Sequence, residues 1–169
     1  VKRKSIGTKH SMCVQPTFLI GTYDAEGNAN FAPITWLSVT DDGTQFLLVI
    51  SMFGDKKTKM NVKETKQLSA NLVSTDMLHL LDYLGSVTGH DGPKDQFAYG
   101  IEKGEVVNAP TLDASKWVYE LEVATIVPCG ASDTFFCRIK NVQVEENMDI
   151  SDGIDLTKLD PVIYSGDYH

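Results

Sequence analysis

A proline interrupts a segment that otherwise has the composition of a β-strand, at residues 28–36 (NANFAPITW). The segment lies between two apolar runs, TFLIGTY at residues 17–23 and QFLLVIS at residues 45–51. Because Pro33 has no N–H to donate, its strand must lie at a sheet edge, or bulge, or bend. Where regular pairing stops, backbone N–H and C=O groups can face a ligand. The segment therefore predicts an irregular strand whose backbone can contribute to a binding site.

Short apolar runs separated by turn residues continue along most of the chain. Residues 24–28 (DAEGN) and 41–43 (DDG) predict tight turns, because Gly and Asn tolerate positive φ angles. The first 52 residues are thus expected to form three strands in up-and-down order. Strands are expected in six segments, at residues 17–23, 29–40, 46–52, 68–74, 117–127 and 134–144. With six or seven strands, the chain should be mainly β with a small closed sheet, since a barrel removes exposed edges.

Two helices are predicted between the strands. Asp55 is expected to cap a surface helix at about residues 56–66, which has only a weak apolar stripe. A second helix is expected to begin at Asp76 and to end before Gly89 and Gly92-Pro93. Its apolar residues recur at the spacing of one helical face: Met77, Leu80, Leu81, Leu84 and Val87. The segment 89–115 is expected to be irregular.

Length and composition place the chain among ordinary globular proteins and exclude several classes. Its 169 residues fit one domain at residues 16–169, preceded by a basic arm at residues 1–15. The formal net charge of −8 argues against nucleic acid as a partner. No apolar run approaches the roughly 20 residues that span a bilayer, and the basic N-terminus is not followed by the apolar core of a secretory signal. We therefore expect a cytoplasmic protein that does not bind membranes.

No metal site or side-chain nucleophile is indicated. The three cysteines form no CxxC pair, and Cys137 lies in an apolar strand where a small core residue is expected. The four histidines are far apart in sequence and match no metal-ligand spacing. No serine lies in a GxSxG context, which leaves a hydrolase triad without support.

A lysine-rich segment follows the third predicted strand, after a glycine turn. Residues 55–66 contain five lysines and only two acidic residues. A helix N-terminus offers unpaired N–H groups and a positive dipole end, and Lys56, Lys57 and the Thr58 hydroxyl would add to a phosphate site. The alternative is a solvated helix without a ligand. A GxxxxGK[ST] motif is absent, so a P-loop for nucleoside triphosphates is excluded.

Together the proline segment and the lysine segment indicate a planar, phosphorylated cofactor. A flavin ring needs backbone donors and acceptors along its pyrimidine edge and flat apolar walls. The backbone of residues 32–35 and the Trp36 indole can supply them. In the alternative interpretation, Phe31, Ile34 and Trp36 are core residues, and Pro33 marks a sheet edge.

The order of segments resembles a known family. TFLIGTYDAEGNANFAPITWLSV is followed by FLLVISMFGDKKTKMNV, then LSANLVS, and finally DPVIYSGDY. This order is similar to the flavin reductase-like, FMN-binding split-barrel proteins, especially their flavoredoxin-type branch, over residues 16–168. The resemblance implies a six-stranded antiparallel Greek-key split barrel with two or more added helices. It also implies a homodimer with FMN near the subunit interface.

The resemblance also implies which residues bind FMN. The first motif would line the ring and the ribityl chain, the second would bind the phosphate, and an aromatic residue after the long helix would complete the site. The residues at these positions are Asn30, Ala32, Pro33, Ile34, Thr35, Trp36, Ser51, Met52, Lys57, Thr58, Asn61 and Phe97. No side chain is expected to act as a catalytic acid or base, because the flavin itself accepts hydride or electrons.

One departure from the family pattern bears on the electron donor. Many reductases of the family carry Gly-Asp-His-Thr before the penultimate strand, whereas residues 131–134 of this chain are Ala-Ser-Asp-Thr, with Asp133 at the position of the histidine. The leading hypothesis is an FMN-bound oxidoreductase of the NAD(P)H:flavin reductase type. The alternatives are a flavoredoxin-type carrier that takes electrons from a redox protein, a non-catalytic flavin-binding protein, and a protein on the same barrel that binds no cofactor or another ligand. A pyridoxal-phosphate-type ligand on a related barrel is a further alternative.

Overall fold

Antiparallel strands dominate the structure, a computed structural model that describes residues 1–5, 7–8, 14–92, 94 and 99–165. The strands are β1 (Gln15–Pro16), β2 (Phe18–Tyr23), β3 (Ala29–Ile34), β4 (Leu37–Asp41), β5 (Phe46–Phe53), β6 (Gln67–Leu72), β7 (Ile101–Lys103), β8 (Pro110–Leu112), β9 (Trp117–Cys129), β10 (Ser132–Val144) and β11 (Ile163–Tyr164). The helices are α1 (Lys57–Thr65), a 3-10 turn (Thr75–Met77), α2 (Leu78–Ser86) and α3 (Leu156–Leu159).

The main sheet contains seven strands in the order β3-β2-β6-β9-β10-β5-β4, and all neighbours are antiparallel. Strands β3 and β4 lie at opposite ends of this order, yet only Thr35 and Trp36 separate them in the chain. Three residue steps span at most about 11 Å, so the two ends of the sheet must lie close together. The sheet is therefore curled, as in a split barrel.

The division between β3 and β4 corrects two expectations. The sequence predicts one strand of an up-and-down trio at residues 29–40, but among the described residues β4 pairs only with β5, and β3 pairs only with β2. Consequently the main sheet has seven strands rather than six. The position of Pro33 at a sheet edge is confirmed, since β3 is a terminal strand with Pro33 opposite Leu19.

Helix α1 begins at Lys57, but its predicted cap is wrong. Lys56 is the N-cap residue and makes no capping hydrogen bond through its side chain. Asp55 instead points to His90, with 3.4 Å between the carboxylate Oδ1 and the imidazole Nε2. The helix ends where Lys66 adopts a left-handed conformation with φ of 60°. Its buried side consists of Thr58, Asn61 and Val62, two of which are polar.

The second predicted helix is present, preceded by the 3-10 turn and shorter than expected. Met77, Leu80 and Leu84 are buried, as their spacing predicts. They pack with Leu19 and Phe31 in a small core between the helix and the edge of the sheet. The helix ends at Ser86, because Val87 is already extended. None of the described helices has the length and apolar content needed to cross a bilayer.

The larger core lies within the main sheet and includes Cys137, as predicted. Burial raises the pKa of this thiol to about 12, so the thiolate that would be reactive is not formed near neutral pH.

The segment expected to be irregular contains the short β7–β8 hairpin, anchored by a buried acid. Glu120 accepts hydrogen bonds from the N–H groups of Val106 and Val107 and from the amides of Asn141 and Gln143, at 2.7–2.9 Å. Burial of the carboxyl opposes its ionisation, but these four donors outweigh burial, and the pKa of Glu120 lies below its usual value.

Candidate functional site

The end of strand β3 and the start of helix α1 meet at one cavity of about 220 Å³, here called the lysine cavity. Asn30, Ala32 and Pro33 line it from β3, and residues 55–58 line it from the segment that leads into α1. The end of α2, residues 87–89 and Lys94 complete the wall. The two segments that the sequence singled out thus share one cavity.

Buried polar side chains fix helix α1 against the sheet. The Asn30 amide donates to the Thr58 hydroxyl at 2.7 Å. Asn61 donates to the Thr22 hydroxyl at 3.0 Å, and that hydroxyl donates to the Asn30 carbonyl at 3.4 Å. Since all four residues are buried, this network sets the position of the first turn of α1, which carries Lys57.

Gly89 lies directly against Asn30 of this hydrogen-bond network. A Cβ atom at this position would lie 2.3 Å from Asn30 Oδ1 and 3.0 Å from Lys57 Cβ. Only glycine allows the backbone of residues 87–89 to approach Asn30 this closely. The loop after α2 is thereby held against the lysine cavity.

Three lysines surround the lysine cavity, and they differ in their partners. Lys57 lies 3.6 Å from the carboxylate of Asp24. Lys56 and Lys94 form no ion pair with any described acidic residue. Cationic side chains around a small polar cavity favour an anionic ligand.

Lys94 is the residue of this site that the sequence did not reveal. It is only 6% exposed, and its amine donates to the carbonyls of Leu84 at 2.9 Å and Phe31 at 3.2 Å. Burial, together with the charge of Lys56, lowers the pKa of Lys94 below its usual value. A buried ammonium that faces other lysines is destabilised until an anion joins it.

A second cavity of about 240 Å³, here called the tryptophan cavity, adjoins the first. Pro33 and Lys56 line both cavities. The tryptophan cavity is otherwise bounded by Ile34, Thr35, Trp36, Ser51 and Phe53. Its two large aromatic side chains are open to solvent, with Trp36 43% and Phe53 59% exposed. Beside these apolar walls runs the outer edge of β3, which pairs with no further strand in the described part of the chain. Such a combination suits a planar ring system.

The structure brings most of the predicted site residues together. Asn30, Ala32, Pro33, Lys57 and Thr58 line the lysine cavity, and Pro33, Ile34, Thr35, Trp36 and Ser51 line the tryptophan cavity. Met52 and Asn61 are buried and line neither cavity. Phe97 lies outside the described residues.

Asp133 forms ion pairs with helix α1 and lines neither the lysine cavity nor the tryptophan cavity. Lys63 donates to its carboxylate at 2.7 Å, and the Lys59 amine lies 3.4 Å away. The hydrogen bond from Lys63 and the two lysine charges hold the pKa of Asp133 below its usual value, against the opposing effect of burial. The neighbouring hydroxyl of Thr134 is hydrogen-bonded to Ser51 at 2.7 Å. Asp133 therefore serves as an ionised anchor between β10 and α1.

The described part of the chain contains no cluster of His, Cys, Asp and Glu side chains suited to hold a metal ion. The side chains that line the two cavities include lysines, hydroxyl groups, the Asp55 carboxylate and the aromatic rings of Trp36 and Phe53.

The family model described as flavin reductase like domain matches residues 10–167. The structure is similar to flavoredoxin of Desulfovibrio vulgaris (Miyazaki F), with 25% identity, a TM-score of 0.88, and 97% of this chain and 88% of that chain covered. Flavoredoxin from Methanosarcina acetivorans is 22% identical with a TM-score of 0.86, and 96% of this chain and 86% of that chain are covered. An FMN-binding protein from Thermus thermophilus with bound p-hydroxybenzaldehyde is 21% identical with a TM-score of 0.77, and 98% of this chain and 90% of that chain are covered. A comparison with curated proteins gave no match.

Proposed function

We propose that this chain, which belongs to the flavin reductase like domain family, binds FMN and passes hydride or electrons through it. The observation that carries the proposal is the junction of two complementary cavities. The lysine cavity is cationic and the tryptophan cavity has aromatic walls, and both are lined by Pro33 and Lys56. A phosphate joined to a planar ring has the matching distribution of charge and shape.

The residues present fit such a ligand at both ends. At the lysine cavity, Lys57, Thr58 and Lys94 would bind the phosphate through charge-assisted hydrogen bonds. At the tryptophan cavity, the outer edge of β3 would orient the ring, and Trp36 would pack beside it. When bound, the flavin would supply the redox chemistry, and the protein would supply binding, orientation and electrostatics.

Reversing the charge of Lys57 tests the placement of the phosphate. Lys57→Glu should weaken FMN binding by about 1–3 kcal/mol, because a charge-assisted hydrogen bond is lost and an anion is added. Titration followed by flavin absorbance and fluorescence measures the affinity. Lys103→Glu changes the net charge equally at an exposed position on β7 and should leave the affinity unchanged. Unaltered affinity in Lys57→Glu would place the phosphate elsewhere.

A flavoredoxin-type electron carrier is the second candidate, and Asp133 favours it. Its carboxylate is engaged by Lys59 and Lys63, so it is not available to assist a nicotinamide at the ring. On this hypothesis, FMN-loaded protein should not oxidise NADH or NADPH at catalytic rates, with or without added flavin. Chemically reduced protein should still pass its electrons to a redox protein. Nucleotide turnover within an order of magnitude of typical enzyme rates, about 10 s⁻¹, would exclude the carrier-only function.

A further inference from the structure

A third cavity, of about 570 Å³, shares Pro33 with the lysine cavity. It is formed by one face of α2, by residues 162–164 at the C-terminal end, and by Pro33 and Thr35 at the end of β3. We call it the apolar cavity. It is larger than either of the two cavities assigned to FMN.

The chemistry of the apolar cavity is opposite to that of the lysine cavity. Most of its exposed lining is apolar, with Leu78 and Leu81 from α2 and with Val162 and Ile163. Thr17, Thr35, Ser86 and Tyr164 add polar groups to the lining. Its described lining includes Asp82 but no lysine, arginine or histidine. An anion entering this space would lose hydration without meeting a cation, and it would be repelled by a carboxylate.

The apolar cavity shares lining residues with both cavities of the proposed FMN site. Gly85 and Ser86 line both the apolar and the lysine cavities, and Pro33 and Thr35 line both the apolar and the tryptophan cavities. Pro33 borders all three. Helix α2 lies close to the end of β3 here, since a Cβ atom added at Gly85 would lie 3.5 Å from Pro33 Cγ, at ordinary van der Waals distance. A molecule in the apolar cavity would therefore lie beside the ring.

From these features we infer that the apolar cavity is a second binding site, which takes a neutral, predominantly apolar small molecule while FMN is bound. The inference rests on the proposed function for the identity of the neighbouring ligand. The volume is in the range of small-molecule pockets, about 300–1,000 Å³. The absence of a cation in the described lining argues against a nucleotide or another phosphorylated ligand at this position.

The test compares two probes that differ in charge and share a ring system, 2-naphthol and 2-naphthalenesulfonate. Calorimetric titration of FMN-saturated protein should give an affinity for naphthol at least about tenfold higher than for the sulfonate, because the sulfonate must be desolvated beside Asp82. The FMN absorption spectrum should shift as naphthol binds, while FMN remains bound.

A matched pair of variants locates the naphthol. Leu78 and Leu156 are both exposed, at 48% and 64%, and both should tolerate lysine, but only Leu78 lines the apolar cavity. Leu78→Lys should weaken naphthol binding at least about fivefold and strengthen binding of the sulfonate, since it supplies the missing cation. Leu156→Lys should change neither affinity.

Several outcomes would overturn the inference. They are equal or tighter binding of the sulfonate to the unmodified protein, release of FMN by naphthol, and naphthol binding that is insensitive to Leu78→Lys. Conversion of a dimer to a monomer by Leu78→Lys, without a change in naphthol affinity, would assign the surface to a second copy of the chain. If FMN fails to bind but naphthol binds with the expected variant pattern, the proposed function fails and the apolar site is retained.

Discussion

Replacing Lys94 with methionine should lower FMN affinity by about tenfold to a hundredfold, the scale of losing a hydrogen bond from a charged donor. Lys94 is buried beside Lys56, and among described residues it is hydrogen-bonded only to the carbonyls of Phe31 and Leu84. Its charge is therefore compensated best when an anion is bound. Titration of the variant with FMN measures the loss.

The stability of the unloaded protein should change much less than the affinity. Lys94→Met leaves two carbonyls without their donor, which is unfavourable, but it also removes a buried charge, which is favourable. Urea unfolding in the absence and presence of FMN separates the two effects. Equal destabilisation in both conditions would show that Lys94 is structural and does not contact the ligand.

The lowered pKa of Lys94 also predicts a pH dependence. Below that pKa the amine is charged and attracts the phosphate, and above it the amine is neutral. FMN affinity should therefore fall as the pH rises through the lowered pKa of Lys94. Lys94→Arg keeps its charge at every accessible pH, so its affinity should stay constant where that of the unmodified protein falls. If FMN affinity changed with pH in the same way in Lys94→Arg and in the unmodified protein, Lys94 would not be the group responsible for the pH dependence.

The strands of this fold are predictable where turn chemistry and apolar runs coincide. The hairpin between β4 and β5 follows from Asp41-Asp42-Gly43, and Gly43 indeed has φ of 87°. In contrast, Thr35-Trp36 carries no turn signal, although the chain divides there into two strands. The division arises because the curled sheet brings its two ends together, and such closure depends on pairings distant in sequence.

The candidate site was predictable where it lies on short, contiguous motifs. Asn30 to Trp36 and Lys57-Thr58 were identifiable because a strand edge and a helix start each have local signatures. Lys94 has no such signature: it follows Gly92-Pro93 without periodicity, and its burial requires carbonyls from β3 and α2. The prediction that Asp55 caps helix α1 was wrong because of another contact distant in sequence. The Asp55 carboxylate lies near His90, and Lys56 is the N-cap residue.

Replacing Gly21 with alanine should destabilise the protein by about 3 kcal/mol, at the upper end of overpacking effects. Gly21 lies in the middle of β2, between Phe31 on β3 and Ser69 on β6. An added Cβ would lie 2.3 Å from the Pro110 carbonyl oxygen, 2.5 Å from Ser69 Oγ and 2.6 Å from the Phe31 ring. Backbone and buried ring atoms must move to accommodate it.

The consequence should extend to the ligand site, because the two parts of the structure share Phe31. Its ring packs on Gly21, and its carbonyl accepts from Lys94. Gly21→Ala should therefore reduce both the urea midpoint and FMN affinity. For the urea midpoint, Gly85→Ala is the matched control: its Cβ would meet only Pro33 Cγ, at 3.5 Å, and alanine is favoured over glycine in a helix by about 1 kcal/mol. A Gly21→Ala protein as stable as Gly85→Ala would show that β2 and the β7–β8 hairpin do not pack tightly against each other in solution.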